Sequence, residues 1–429
     1  MNTERLRAAG LAVALLAGFQ AGAVAQTPTV TLADAIELAL RHQPAVVQAR
    51  GAVQAAGAGL REVRGSWLPR LNANSSWSRN QTTTRVNNEG IEFASPANNY
   101  SAGWSASVEL FDGFRRFAQG RSANADLESA DANLTNQQFQ ITLLVKQTFF
   151  NALAADELVR VSDTRIRRAD EQLKVAKEKL AAGSATRSDT LRSAVELGNA
   201  RLQFLNAQTS QASTRAALAR LVGYDGPIQP IGDSSLYELA PLDTAAMRDE
   251  LLRSAPAILA ADASAMAADA SVAVTRAQYF PTLTGSFSQN WSGTLIGSLD
   301  DAWSLRLALS WNVFNGFARE ANVTRTSVSQ QTARAQANDV RRQASSQLTQ
   351  HLATLASSRA QIDIAVASLA AAREDLRVVQ ERYRLGAATI VDLLTSQVTL
   401  DQGEVDLIRA RLDFLVARAQ LEALMGRTL

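Results

Sequence analysis

The segment Trp303–Trp311, WSLRLALSW, alternates without a break: Trp303, Leu305, Leu307, Leu309 and Trp311 on one side, Ser304, Arg306, Ala308 and Ser310 on the other. A β-strand turns successive side chains to opposite faces, so the pattern predicts a strand with one apolar and one polar face. GWSASVELF, ending at Phe111, does the same with Trp104, Ala106, Val108 and Leu110. LNANSSW from Leu71 and TLTGSFSQNW from Thr282 supply partners, which predicts two β-hairpins, at about 71–111 and 282–314. Tilted strands of roughly 9–11 residues are long enough to cross an outer membrane. Five of the six tryptophans lie in these segments and Trp67 just before the first, and tryptophan at strand ends suits a membrane interface. A soluble four-stranded sheet laid on helices shows the same alternation, but no amphipathic segment of matching length stands nearby to cover it.

Composition narrows the class. The chain has 429 residues, of which 46% are hydrophobic and only 6% aromatic, a profile of closely packed alanine- and leucine-rich helices. Lys and Arg (43) nearly balance Asp and Glu (41), which gives no reason to expect a nucleic-acid partner. The opening residues place Arg5 and Arg7 before an apolar run of small residues that ends in Ala23-Val24-Ala25, the layout of a secretory signal peptide at 1–25. Cysteine is absent, so the exported chain carries no disulfide and no lipid on cysteine. Past the leader no run of about 18 apolar residues is free of charge, so entry into a membrane is expected only as a β-barrel.

The chain repeats itself. RHQPAVVQA at Arg41 returns as RSAPAILAA at Arg253, and WLPRL at Trp67 as YFPTL at Tyr279, both displaced by 212 residues. LFDGF at Leu110 returns as VFNGF at Val313, GSATRSD at Gly183 as GAATIVD at Gly386, and LVG at Leu221 as LMG at Leu424, all displaced by 203. This divides the mature chain into a first repeat at 26–223, a linker or equatorial segment at 224–255 and a second repeat at 256–429. All nine prolines fall at or before Pro96 or between Pro227 and Pro281, which leaves long proline-free stretches for helices at about 114–182 and 317–385. Each would extend on the order of 100 Å, a length that points to coiled coil rather than to an ordinary helical bundle. Val405, Ile408, Leu412, Leu415 and Ala419 step as a heptad seam; Leu191, Val195, Leu202 and Leu205 keep that register if Gly198 fills one position.

Four strands cannot close a barrel, since single-chain barrels begin at about 8, whereas three chains would supply a closed set of twelve. With its leader, its duplicated order of short helix, hairpin, long helix and medium helix, and the paired motifs, the chain resembles the TolC family of bacterial outer-membrane efflux proteins. The resemblance covers essentially the whole mature chain. It implies a mostly α, partly β fold: long coiled-coil helices, and two hairpins giving four strands to a trimeric 12-stranded transmembrane barrel continued by a periplasmic α-helical barrel. It also implies a homotrimer in outer-membrane lipid, extending into the periplasm. Its partners would be a periplasmic adaptor and an inner-membrane pump of RND or ABC type.

The informative polar residues sit where long helix turns into medium helix. Gly183 and Gly386 suit helix C-termini, and Thr186 with Asp189, and Thr389 with Asp392, suit capping boxes. The resemblance adds further roles. Asp392 matches an aspartate at the narrowest point of the periplasmic tunnel, where three copies would form a cation-attracting ring; the next ring position is Thr395. Tyr383 matches a tyrosine that helps hold the gate shut by bonding an aspartate matching Asp189. The arginine tether of the family is Ala388 here, with Arg187 a candidate replacement, and the turns at 183–190 and 386–393 are the expected adaptor contact.

No catalytic, metal or cofactor constellation stands out: the only histidines, His42 and His351, lie far apart in the repeat without a nucleophile or further ligand beside them. The expectation is a passive exit duct and not an enzyme. A periplasmic coiled-coil adaptor or a structural envelope protein shares the leader and the helices, but neither accounts for duplicated tryptophan-bearing strands.

Overall fold

The computed structural model describes residues 28–79, 85–86, 92–93, 98–232 and 243–429; the leader at 1–25 lies outside the described residues. In chain order the elements are β1 (Thr29–Val30), α1 (Leu32–His42), α2 (Pro44–Gly65), β2 (Arg70–Arg79), β3 (Arg85–Val86), β4 (Glu92–Phe93), β5 (Asn98–Phe111), α3 (Arg115–Ala181) and α4 (Arg187–Val222). There follow β6 (Gln229–Pro230), α5 (Thr244–Ser254), α6 (Pro256–Arg276), a 3₁₀ turn (Ala277–Tyr279), β7 (Thr282–Leu295), β8 (Ser298–Ser310), α7 (Ala318–Arg384) and α8 (Ile390–Met425). The chain forms two compact units, one from the described residues of Met1–Leu38, Thr148–Leu236 and Ser368–Arg409, the other from those of Ala39–Gln147, Tyr237–Ala367 and Ala410–Leu429. Each draws on both halves of the sequence.

The second unit holds an antiparallel sheet in the order β2-β5-β7-β8. Its register decides what the alternation means. Ala73 pairs with Trp104, Trp104 with Gln289 and Gln289 with Trp303; one step along, Leu71, Ala106, Phe287 and Leu305 are aligned, and then Val108, Gly285 and Leu307. Directly opposed residues share a face, so the apolar sets of all four strands converge on one side. There Phe287 lies 5.1 Å from Trp104 and 6.4 Å from Trp303, centroid to centroid. The other side is polar, with Ser76 Oγ 2.8 Å from Ser101 Oγ and Ser288 Oγ 2.9 Å from Ser304 Oγ. Every residue of β2 and all of β8 but Leu299 are exposed, whichever way they point. Trp303, Leu305, Leu307 and Leu309 are 68–71% exposed.

Trp311 corrects the expectation for the second hairpin, because β8 ends at Ser310. The ladder stops where β7 begins: Thr282 faces Ser310, and the preceding Pro281 has no N–H to offer. The Trp311 indole N–H instead donates to the Tyr279 carbonyl at 3.2 Å.

Both strand-to-helix junctions use the same device. Gly113 and Phe114 have φ of 67° and 63°, and Gly316 and Phe317 have 65° and 64°, so a phenylalanine in each elbow occupies a conformation that costs roughly 1–2 kcal/mol. Edge-on contacts at 5.5 Å, Phe111 with Phe114 and Phe314 with Phe317, help to hold it there. Asp112 Oδ2 accepts from the Arg116 backbone N–H (2.9 Å) and from Arg116 Nε (3.0 Å), both side chains being buried; Asn315 Oδ1 accepts the Arg319 N–H at 3.3 Å. The Arg116 guanidinium stacks over Trp67 at 4.2 Å, and that of Arg319 over Tyr279 at 4.0 Å. The LFDGF and VFNGF motifs, with the tryptophan and tyrosine of WLPRL and YFPTL, are thus the parts of an elbow.

The helices follow the absence of proline. α3 and α7 are 67 residues each and α4 and α8 are 36 each. Thr244–Tyr279 is long and apolar enough to cross a membrane by length and composition alone. Its Asp262 and Asp269 pair with Arg341 and Arg334 of α7, each at 2.7 Å, which fastens α6 to another helix of its own unit; lipid would leave those carboxylates unpaired. In α8 the expected seam is partly covered, with Ile408, Leu415 and Ala419 buried beside Phe414. In α4 it is not: Leu191, Val195, Leu202 and Leu205 are 58–64% exposed and Gly198 meets nothing, while Ser193 is buried and Leu197 and Ala200 pack with Ala169 of α3 and its neighbours. The apolar heptad stripe of α4 has no cover among the described residues of its own chain.

The elbows and the helix ends differ in tolerance. A Cβ on Gly113 would stand 2.5 Å from Phe280 Cβ and 2.9 Å from the Ala277 carbonyl, whereas one on Gly386 (φ 77°) would meet nothing. Gly386→Ala is therefore expected to cost only the left-handed conformation, about 1 kcal/mol. Gly113→Ala should cost about 3 kcal/mol or more, because backbone must move as well. Thermal-denaturation midpoints of the two variants check the order, and equal midpoints would refute it.

Candidate functional site

The site is assembled in the first unit from the two long-to-medium helix turns. α3 ends in a Schellman turn: Gly183 N–H donates to the Leu180 carbonyl (3.0 Å) and Ser184 N–H to that of Lys179 (2.8 Å). α7 ends the same way, Gly386 N–H on Tyr383 (3.2 Å) and Ala387 N–H on Arg382 (2.7 Å). Glycine is needed because φ is 71° and 77° at these positions. The next helices open with reciprocal caps. Thr186 N–H donates to Asp189 Oδ2 (2.8 Å) and Asp189 N–H to Thr186 Oγ1 (3.2 Å). Thr389 N–H and Thr389 Oγ1 both donate to Asp392 Oδ2 (2.9 and 2.8 Å), and Asp392 N–H returns to Thr389 Oγ1 (3.2 Å). Two donors fixed on one oxygen, the backbone N–H foremost, hold the Asp392 carboxyl below its usual range, with Arg382 assisting. Asp392 and Thr395 are exposed, and Thr395 Oγ1 donates to the Val391 carbonyl at 2.9 Å.

Tyr383 is buried among Leu376, Ile390 and Leu393, with Val175 of α3 and Ala388 packed against the cluster. Its hydroxyl has no hydrogen-bond partner among the described residues. Burial, and then the negative charge of Asp189, raise its pKa above the ordinary tyrosine value, so the two groups are neighbours without a bond between them. Asp189 is occupied by the Thr186 cap. Arg187 is exposed and makes no hydrogen bond or ion pair among the described residues.

Sequence reasoning missed Lys179. Its ammonium lies 4.3 Å over the Tyr383 ring and donates to the Tyr383 carbonyl, with the Arg384 carbonyl 3.3 Å away, so the last turn of α3 is clamped to the last turn of α7. The only signal was a lysine in a C-terminal turn, where a cation meets the free carbonyls of the helix. The repeat places Arg382 at the matching position, and Arg382 Nη2 donates to the Ala387 carbonyl at 3.2 Å.

Farther along the same helices, Arg165 of α3 bonds Glu196 of α4 (2.6 Å) and forms an ion pair with Asp401 of α8 (2.9 Å), and Arg168 bonds Asp401 and Glu404 (2.8 Å each). Burial raises the pKa of Asp401 despite both guanidiniums, a sign that its desolvation is only partly offset. The arrangement binds three helices through charge and contains no nucleophile with a base. Among the described residues no cluster of three or more His, Asp or Glu could hold a metal ion.

This geometry of capped helix pairs in one unit and a duplicated elbow and open sheet in the other has known counterparts. The family described as outer membrane efflux protein matches residues 35–224 and 247–427. The chain belongs to the outer membrane efflux protein family. It is 30% identical to Protein CyaE of Bordetella pertussis over 380 residues, 86% of this chain and 78% of that one. It is 26% identical over 413 residues to the alkaline protease secretion protein AprF of Pseudomonas aeruginosa, covering 92% and 84%. In fold it superposes on the Campylobacter jejuni CmeC outer membrane channel with a TM-score of 0.81 at 18% identity, covering 92% of this chain and 85% of that one. As a member of this family, the protein resides in the outer membrane.

Within this efflux protein the Tyr383 hydroxyl is a buried polar group without a bond, so Tyr383→Phe should leave stability at neutral pH unchanged or raise it by about 1 kcal/mol. Since the folded-state pKa is raised above the unfolded value near 10, the wild-type contribution is full below about pH 10 and is lost as pH climbs through the folded value. Tyr383→Phe should therefore flatten the alkaline fall in a stability-against-pH series; marked destabilisation at neutral pH would mean that the hydroxyl bears a bond after all.

Proposed function

We propose that this member of the family is the passive exit duct of an export system. It acts as a homotrimer whose twelve strands close one transmembrane barrel, fed from the periplasm through an adaptor by an inner-membrane pump of RND or ABC type and gated at the helix turns. The observation that carries the reading is the sheet. Four strands with both edges open among the described residues and one mostly apolar face exposed, interrupted by Ser75, Gln289 and Asp301, match one third of a closed barrel, the apolar face toward lipid and the serine-lined face toward water. The uncovered stripe Leu191, Val195, Leu202 and Leu205 supports the same assembly, since a neighbouring copy is the natural cover for a heptad seam. The name of the relative AprF supports secretion as the direction of traffic.

At the gate, Asp392 both caps α8 and contributes one carboxylate to a threefold ring. Its lowered pKa keeps that ring charged, so it attracts cations and resists anions. Lys179 takes over the clamp that Ala388 lacks, tying the ends of α3 and α7. Adaptor binding at the turns 183–190 and 386–393 shifts the gate toward open.

Planar-bilayer conductance of the mature protein tests this. Wild type should give small, cation-preferring channels; Asp392→Ala should lose the preference, and Lys179→Met should raise the resting conductance. Channels with unaltered selectivity in Asp392→Ala would reduce that residue to a helix cap, and folded protein that forms no channels would refute the duct.

A further inference from the structure

Beneath the first elbow lies a cleft of about 340 Å³, walled by Phe114, Phe280 and Gly113 and reached by Arg121, Arg276 and Asp269. We infer that this cleft binds the phosphate of an anionic phospholipid, held between the Arg121 and Arg276 guanidiniums with its chains against the aromatic wall.

Charge is the first ground. At the two elbows and along α6 arginines are matched with carboxylates: Arg115 with Glu109 (2.7 Å) and Arg116 with Asp112 (3.0 Å) at the first elbow, Arg319 with Glu320 (2.8 Å) at the second, and Arg334 with Asp269 (2.7 Å). Asp269, the one carboxylate lining the cleft, is taken by both Nε and Nη2 of Arg334, which lowers its pKa. Arg121 and Arg276 have no hydrogen-bond or ion-pair partner among the described residues, so the cleft presents two free guanidiniums. A guanidinium binds phosphate oxygens through paired, charge-assisted bonds, which suits a phosphodiester better than a single-point anion.

Position is the second. β5 ends at Phe111 and β7 begins at Thr282, so Arg121 and Arg276 stand within two helical turns of strands assigned to the membrane; this rests on the barrel reading above. Two turns rise at most about 11 Å against a headgroup layer of roughly 5–8 Å a side, and α3 side chains lean back toward the helix N-terminus, the strand end, which brings the Arg121 guanidinium toward that layer. Phe280 and Phe114, edge-on at 6.2 Å, form an apolar shelf at the level where acyl chains begin. The fold itself does not demand the cation: the second repeat carries Thr324 where the first carries Arg121.

The test is native mass spectrometry of the purified mature protein titrated with phosphatidylglycerol, wild type against Arg121→Gln/Arg276→Gln. Wild type should retain one phosphatidylglycerol per protomer and the double variant should bind about tenfold more weakly or worse, with phosphatidylcholine of the same chains weak on both. Equal phosphatidylglycerol binding by the two proteins would overturn the site. Equal binding of phosphatidylcholine by wild type would show an apolar groove without charge recognition, and displacement of the lipid by inorganic phosphate at comparable concentration would assign the site to free phosphate; each overturns the proposal. Bilayer conductance on the same samples separates the two readings. Channels from both proteins confine a failure to the cleft, while folded protein without channels removes the barrel on which it rests.

Discussion

In hydrocarbon every backbone N–H and C=O must find a partner within the protein, and this chain cannot supply them all. Its sheet offers inner ladders between β2 and β5, β5 and β7, and β7 and β8, yet among the described residues the outer edges of β2 and β8 are unpaired. The same incompleteness recurs in the uncovered apolar face of the strands and the uncovered stripe of α4. All three fit the assembly proposed above, in which copies of the chain complete one another. Water is a poor solvent for the apolar face and lipid a poor one for open edges, so neither environment suits the lone chain.

The elbows connect that sheet to the helices, and they show strain balanced by local chemistry. A phenylalanine at positive φ is unfavourable, but in each elbow it follows a glycine, meets a second phenylalanine edge-on and is flanked by a capped helix start. Arginine stacked on an aromatic ring from the preceding segment completes each junction. At the opposite termini of the long helices the problem is reversed, and carbonyls rather than amides need partners. Glycine, the Schellman bonds and a lysine clamp meet it there.

Much of this was legible in residue order. Alternation in WSLRLALSW marked a strand, the absence of proline permitted the long helices while their polar helical pattern placed the ends within a residue or two, and Gly-x-x-Thr-x-x-Asp marked two turns and their caps. Periodicity taken alone was incomplete. The Leu191–Leu205 seam has heptad spacing, but spacing does not say which chain covers it, and α4 buries Ser193, Leu197 and Ala200 instead. Trp311 continues the alternation in sequence, yet its strand had run out of partner because Pro281 ends β7 on the other side.

By itself, then, the sequence determined the local structure: strands from period two, helices from the absence of proline, caps and elbows from short motifs, since each depends on neighbours a few residues away. Tertiary structure alone decided the register that gathers the apolar residues on one face, the missing bond at Tyr383, and the meeting of Lys179 with Tyr383 across 204 residues. Those depend on which helix end or strand arrives beside which, and no local pattern encodes the distance between two groups that only packing brings together.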